Sequence, residues 1–406
     1  MPNIISDYVG TAAGAFPVTA FGDGRTAELT PIIQGSLEYT VSNTELNTNT
    51  IANTGTVTQA SSMAVIATGT TTASTALFQS KQHARYRAGL GGLMRFTTLF
   101  SAPVAGTELY MGIVDEVGSS AAFKNGLAVG YDGATFGFHR FQNDVKFSIA
   151  QSSWDDPLDG SGASGMTLDQ TKLNVWAINF QYLGAGAMQL FCESDKTGKF
   201  VLVHTVHYTN RNTTPSTHNP NYHFTIWAAN KGTTSDVSLK CASYAYFIEG
   251  KTQYFELHQP QQSSGLTSLG SITSEVAIFT IRNKAQYASK TNFIDALLEN
   301  VSASIESNNA NNLGSVRLVK NATLGGTPSW SDINTSDSII DMDTSGTTVT
   351  GGKEMLGGTL AGKNDNTDKD LLPLLIVLNP GDTLTVAGTS AGSATIEVTM
   401  LWKELF

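Results

Sequence analysis

The chain is short of charge. Asp, Glu, Lys and Arg make up 14% of its 406 residues, against about 25% in an ordinary soluble domain, and this argues against the Glu- and Lys-rich exposed helices that solubilise most helical proteins. Cysteine is scarce too. Cys192 and Cys241 are too few for a disulfide framework in so long a chain, and their spacing fits no zinc motif, so buried free thiols are expected, with a disulfide between neighbouring strands as the alternative. No stretch approaches the roughly 18 to 20 apolar residues of a membrane-spanning helix. The start, MPNIISDYVGTAAGAF, lacks the basic-then-apolar order of a secretory signal, so no membrane partner is expected. Basic residues number 24 against 34 acidic, a net charge of −10. That argues against the basic face with which a nucleic-acid binder displaces counterions, and no nucleic-acid partner is expected.

What the chain has in quantity is Gly, Ser, Thr and Asn. Thr and Ser suit a pleated, half-exposed strand, and Asn and Gly suit tight turns. The composition therefore predicts an all-β protein, and its length predicts two domains plus an extension. Residues 1–60 contain the run TVSNTELNTNTIANTGTVTQ and no sustained period; they read as an extended N-terminal arm that must pack on the next domain or on another copy. Over 61–262 the runs GGLMRFTTLF, ELYMGIVDEV, KLNVWAINFQYL, AMQLFCES, KFVLVHTVHY, YHFTIWAAN and SDVSLKCASYAYFIEG read as strands of one antiparallel β-sandwich. Asp132-Gly133 within GLAVGYDGATFGFHRF marks a hairpin turn. The stretch 254–270 reads as a linker, and 263–406 as a second β-sandwich containing EVAIFTIRNK, GSVRLVKNA, LLPLLIVLN, DTLTVAG and ATIEVTMLWKELF. NFIDALLENV suits a helix or a strand and is assigned as strand because it runs on into the alternating VSASI. Asn379-Pro380-Gly381-Asp382 carries the signature of a type II turn.

Few residues point to chemistry. His204, His207, His218 and His223 lie close in sequence, but residues three apart on a strand face opposite ways, so no metal site is expected. GGTLAGK has the glycines and lysine of a phosphate loop, but Asn364 follows where Ser or Thr is needed. The best ligand-facing candidate is the loop SSWDDPLDGSGASG, with Trp154, Asp155, Asp156 and Asp159. An aromatic face beside polar groups can hold a sugar, and three carboxylates can hold calcium; the alternative is a surface turn in which Asp side chains cap their own backbone. No catalytic residues and no cofactor are expected.

Across these segments the chain resembles virion structural proteins of tailed phages and environmental viruses. The matching stretches are AFGDGRTAELTPIIQ, TVTQASSMAV, YRAGLGGLMRFTTLF, GYDGATFGFHRF, SSWDDPLDGSGASGMTL, RLVKNATLGGTPSW and LNPGDTLTVAGTSAGSATIEVTMLW. The resemblance implies a concanavalin-like middle sandwich and a jelly-roll-like C-terminal domain, as in head decorations, fibres and receptor-binding proteins. The expectation is a non-enzymatic protein of the virion surface, made and folded in the host cytoplasm. By analogy with viral fibres it is a homo-oligomer, a trimer, joined to other virion proteins through its arm and contacting host surface glycans. The alternatives are a lectin-like carbohydrate-binding protein outside any virion and, third, a polysaccharide depolymerase using paired acids.

Overall fold

Alternating apolar residues and hydroxyl-bearing turns organise the chain into antiparallel sheets. The computed structural model describes residues 27–43, 46–250, 259–307, 309, 311–362, 365–392 and 394–406. Among these residues the helical elements are two single 3₁₀ turns, Gln151–Ser153 and Leu372–Leu374. The chain divides into two compact units, Met1–Gln253 and Tyr254–Phe406.

In the first unit a nine-stranded and a seven-stranded sheet enclose one core. The Gly91–Phe100 strand lies inside the nine-stranded sheet, between Asn174–Phe180 on one side and Ser238–Cys241 and Ser243–Glu249 on the other. The seven-stranded sheet runs Val145–Ala150, Thr135–Gln142, Gly126–Asp132, Thr107–Val114, His223–Asn230, Thr75–Ser80, Asn47–Ala52. Side chains of successive strand residues point to opposite faces. Met94 and Phe96 thus meet Leu109, Met111 and Ile113 in the core, while Tyr110 and Val114 join a smaller cluster with Phe123, Phe141 and Trp227.

The expected arm is not a separate element where the structure describes it. Residues 1–26 lie outside the described residues. From Leu29 onward the chain enters both sheets: Leu29–Ser36 pairs with Ser243–Glu249, Asn47–Ala52 with Thr75–Ser80, and Thr56–Ala60 with Met63–Ala67. All three are sheet-edge strands, where polar residues on both faces keep the edge soluble and erase the apolar–polar alternation of a half-buried strand. The hairpin is displaced by one residue. Asp132 pairs with Thr135, leaving Gly133 and Ala134 as the turn with Gly133 at φ +60°, as a II′ turn takes glycine at its first central position.

The second unit has two six-stranded sheets around its own core, which includes Phe279, Leu298, Val386, Met400 and Trp402. Part of the expected linker belongs to it, since Gln261–Ser263 and Thr267–Gly270 both pair with the closing strand Thr395–Leu405. The ambiguous NFIDALLENV segment opens a strand, Asp295–Glu306. LLPLLIVLN is mostly not a strand: Pro373 cannot donate to a ladder, and the segment makes a 3₁₀ turn, places Leu375 at φ 47° and keeps only Val377–Leu378 paired. Asn379 to Asp382 closes the expected turn, with Gly381 at φ +89° and the Asp382 N–H donating to the Asn379 carbonyl at 2.9 Å.

Candidate functional site

The acidic loop around Trp154 is built inward. Trp154 is 5% exposed. Its indole packs edge-on against Phe136 at 5.9 Å and Trp176 at 6.1 Å, and its Nε1–H donates to the Ile149 carbonyl at 3.1 Å. A sugar cannot stack on a ring that already fills the core, so the expected platform is corrected to a core plug. The flanking acids act on backbone. The Asp156 N–H donates to the Val203 carbonyl at 2.9 Å, and Asp155 Oδ2 accepts from the Thr205 N–H at 2.9 Å. Both partners lie on Phe200–Val206, the end strand of the nine-stranded sheet. The loop thus clasps an edge whose backbone groups have no neighbouring strand on that side.

The three carboxylates do not converge. Asp155 also lies 3.2 Å from His204 Nδ1. Asp156 is buried and accepts from the N–H groups of Leu158 at 3.2 Å and Ser164 at 2.7 Å. Asp159 is exposed, and its Oδ1 accepts from the Ser161 N–H at 2.9 Å and hydroxyl at 2.5 Å. The Ser161 hydroxyl, then its N–H, hold the Asp159 carboxyl below the usual range. Among the described residues no group of three or more His, Cys, Asp or Glu side chains is placed to hold a metal ion. The phosphate-loop lookalike lies partly in the Lys353–Leu360 strand. Lys363 and Asn364 fall outside the described residues.

Of the four, Asp155 and Asp159 are exposed, and Asp159 lines a groove of about 420 Å³ together with Tyr131, Thr135, Phe136, Gln151 and Gln170. The amides are held in order: Gln170 Nε2 donates to Gln151 Oε1 at 2.8 Å, and Gln151 Nε2 to the Pro157 carbonyl at 2.8 Å. Gln170 Oε1 and Asp159 Oδ2 accept no hydrogen bond from the described residues. Tyr131 and Phe136 belong to the core and only close the groove's floor, so what the groove presents to a ligand is two oriented acceptors. The sequence hid this site because the hairpin, the loop and Gln170 are brought together only by the sheet.

A second polar cluster is internally satisfied. Lys146 Nζ lies 2.8 Å from Asp132 Oδ2 and 3.4 Å from Glu108 Oε1, and donates to Tyr110 Oη at 3.1 Å. Trp227 Nε1–H donates to Glu108 Oε2 at 3.4 Å. Nearby, burial pushes His139 down to about 4. The ring stays neutral at pH 7 between Ser148 Oγ at 2.9 Å and the Gly130 carbonyl at 3.1 Å.

No protein-family model and no curated protein matches this chain. Among solved structures, the carbohydrate recognition domain of Emp47p is similar at 9% identity, over 55% of this chain and 97% of its own, with a TM-score of 0.34. The exoplasmic/lumenal domain of VIP36, bound to Ca²⁺ and Man3GlcNAc, is similar at 12% identity over 56% and 92%, TM-score 0.32. Lectin II from Ulex europaeus is similar at 10% identity over 54% and 100%, TM-score 0.35. Likeness at this level carries no functional argument.

Proposed function

We propose that this chain is a non-enzymatic carbohydrate-binding protein, with its first unit as the binding part and the groove beside Asp159 as the site. The composition of that groove carries the reading. A pyranose is ringed by hydroxyls, and the groove offers them the acceptors of Gln170 and Asp159 and the exposed Thr135 hydroxyl, over a floor that the core residues Tyr131 and Phe136 close. Asp159 is the one carboxylate in its lining, whereas glycoside hydrolysis by the usual route takes two. Binding without cleavage is the chemistry such a groove supports. The test is a glycan array probed with the full chain, its Asp159→Ala variant and its Gln170→Ala variant. The expected result is a discrete neutral-glycan signal that falls at least about tenfold in both variants while their thermal midpoints stay unchanged. Absence of signal, or a signal indifferent to both substitutions, overturns the reading.

A second reading concerns where such a protein works. The resemblance of stretches in both units to virion structural proteins supports display on a virus particle, as a capsid decoration, head fibre or tail fibre, with folding in the host cytoplasm and assembly as a homo-oligomer. Gold-labelled antibody against this chain should decorate particles at head or tail. Unlabelled particles would rule this out.

A further inference from the structure

Arg95 is the middle residue of a long strand whose neighbours Met94 and Phe96 face the core. Its own side chain therefore stands on the outer face of the nine-stranded sheet, where it is exposed. Two guanidiniums of the second unit contrast with it. Arg282 grips Asp341 at 3.1 and 2.6 Å, and Arg317 grips Glu275 with two bonds of 2.6 Å. Arg95 makes no ion pair or hydrogen bond with the described residues; its guanidinium carbon lies 5.7 Å from the Phe200 ring centre and 5.5 Å from that of Phe247. Such rings hold the side chain in place and leave its five N–H donors facing solvent, available to a ligand. A cation held between two rings without a carboxylate is open to an anion from outside.

Next to Arg95 the sheet opens into a groove of about 410 Å³, lined also by Gln34, Ser36, Thr97, Val175 and Ser243. The volume lies within the range of about 300 to 1,000 Å³ typical of small-ligand sites. The opening has a structural origin: the Gly91–Phe100 strand changes partner along its length, pairing with Ser243–Glu249 at one end and Ser238–Cys241 at the other. Thr97 Oγ1 spans this break, accepting from the Ala242 N–H at 2.8 Å. The side chains of Gln34, Ser36 and Ser243 form no hydrogen bond with the described residues, so they are free to meet hydroxyls.

We propose that this groove is a second binding site, taking a saccharide that carries a carboxylate on its ring, with Arg95 forking the carboxylate and Gln34, Ser36 and Ser243 meeting the ring hydroxyls. The planar fork of arginine matches a carboxylate in two parallel hydrogen bonds. A single cation matches a monoanion, where a phosphate dianion would ask for a second. Ring hydroxyls match the rim, which is neutral apart from Arg95. The site is independent of the groove beside Asp159.

The test is calorimetric titration of the full chain with two acidic probes, a galacturonate trisaccharide and sialyllactose, and with neutral galactotriose as control. At least one acidic probe should bind wild type. Arg95→Gln should lower that affinity at least about tenfold, the scale of a charge-assisted bidentate bond, and Arg95→Lys should recover part of it. Asp159→Ala should leave it unchanged, which separates failure of this site from failure of the other. Because Arg95 is exposed, its variants should melt with wild type. Binding of neither acidic probe, or acidic binding that Arg95→Gln leaves intact, overturns the proposal.

Discussion

Trp154 and Trp176 meet with ring centres 6.1 Å apart at an interplanar angle of 77°. One comes from a loop and the other from a strand of the nine-stranded sheet. The contact explains why an acidic, glycine-rich loop is fixed in place, and it changes what the loop is for. Trp154→Ala should destabilise the chain by about 3 to 5 kcal/mol, the usual result of emptying a buried aromatic site, with Trp154→Phe milder. Denaturant unfolding followed by tryptophan fluorescence measures both. A loss under about 1 kcal/mol for the alanine variant would show that the ring is not the plug described.

Asp115 predicts a pH dependence. It is 2% exposed and accepts from the Asn125 N–H and Nδ2, each at 2.7 Å; burial nonetheless pushes its carboxyl up to about 6. A carboxyl raised above its unfolded value of about 3.9 keeps its proton longer in the folded state. Stability from this group therefore falls as pH rises from about 4 to about 6, by on the order of 3 kcal/mol. Asp115→Asn removes the titration, so urea unfolding across this window should give a flatter slope for the variant. Parallel slopes would refute the assignment.

Cys192 and Cys241 are both free and buried, and burial pushes each thiol up to about 12. Neither should react with iodoacetamide or Ellman's reagent in the folded chain at neutral pH, and both should react in denaturant, because the thiolate is the nucleophile. Reducing agent should leave the thermal midpoint unmoved. Rapid labelling of native protein would count against this burial.

In the second unit Lys320 Nζ lies 2.9 Å from Asp382 Oδ2, with both side chains nearly buried, and also donates to the Val377 carbonyl at 3.0 Å. Burial works to raise the Asp382 carboxyl, and Lys320 with bonds from Asn321 and Asn379 overrides it and holds the group below its usual value. Lys320→Ala strands a buried charge and should cost about 3 to 5 kcal/mol. The stabilisation linked to this depressed carboxyl is present above about pH 4 and lost as pH falls through its folded value. The gap between variant and wild type should therefore narrow on acidification. A gap that is constant with pH would assign the loss to packing alone.

Much of the fold is legible in the sequence because its signals are local. GGLMRFTTLF is a strand over its whole length, and in ATIEVTMLW the residues Ile396, Val398, Met400 and Trp402 all reach the core, since a two-residue period survives wherever one face is buried. The edge strands Leu29–Ser36 and Asn47–Ala52 resemble an arm in sequence because edges carry polar residues on both faces. The site is less legible still. Trp154 among acids and glycines looks like a surface ring, and nothing local to SSWDDPLDG shows that the backbone turns its indole inward toward Trp176.

The sequence by itself determined the β class and the turn at Asn379–Asp382, because each depends on residue chemistry within a few positions, whereas whether Cys192 and Cys241 meet was decided by the fold. The tertiary structure alone decided which polar residues share a groove. Gln151, Asp159 and Gln170 meet across a loop, and Arg95 lies between Phe200 and Phe247 from distant strands. Sheet pairing sets such neighbours, and pairing between distant strands leaves no spacing rule in the chain.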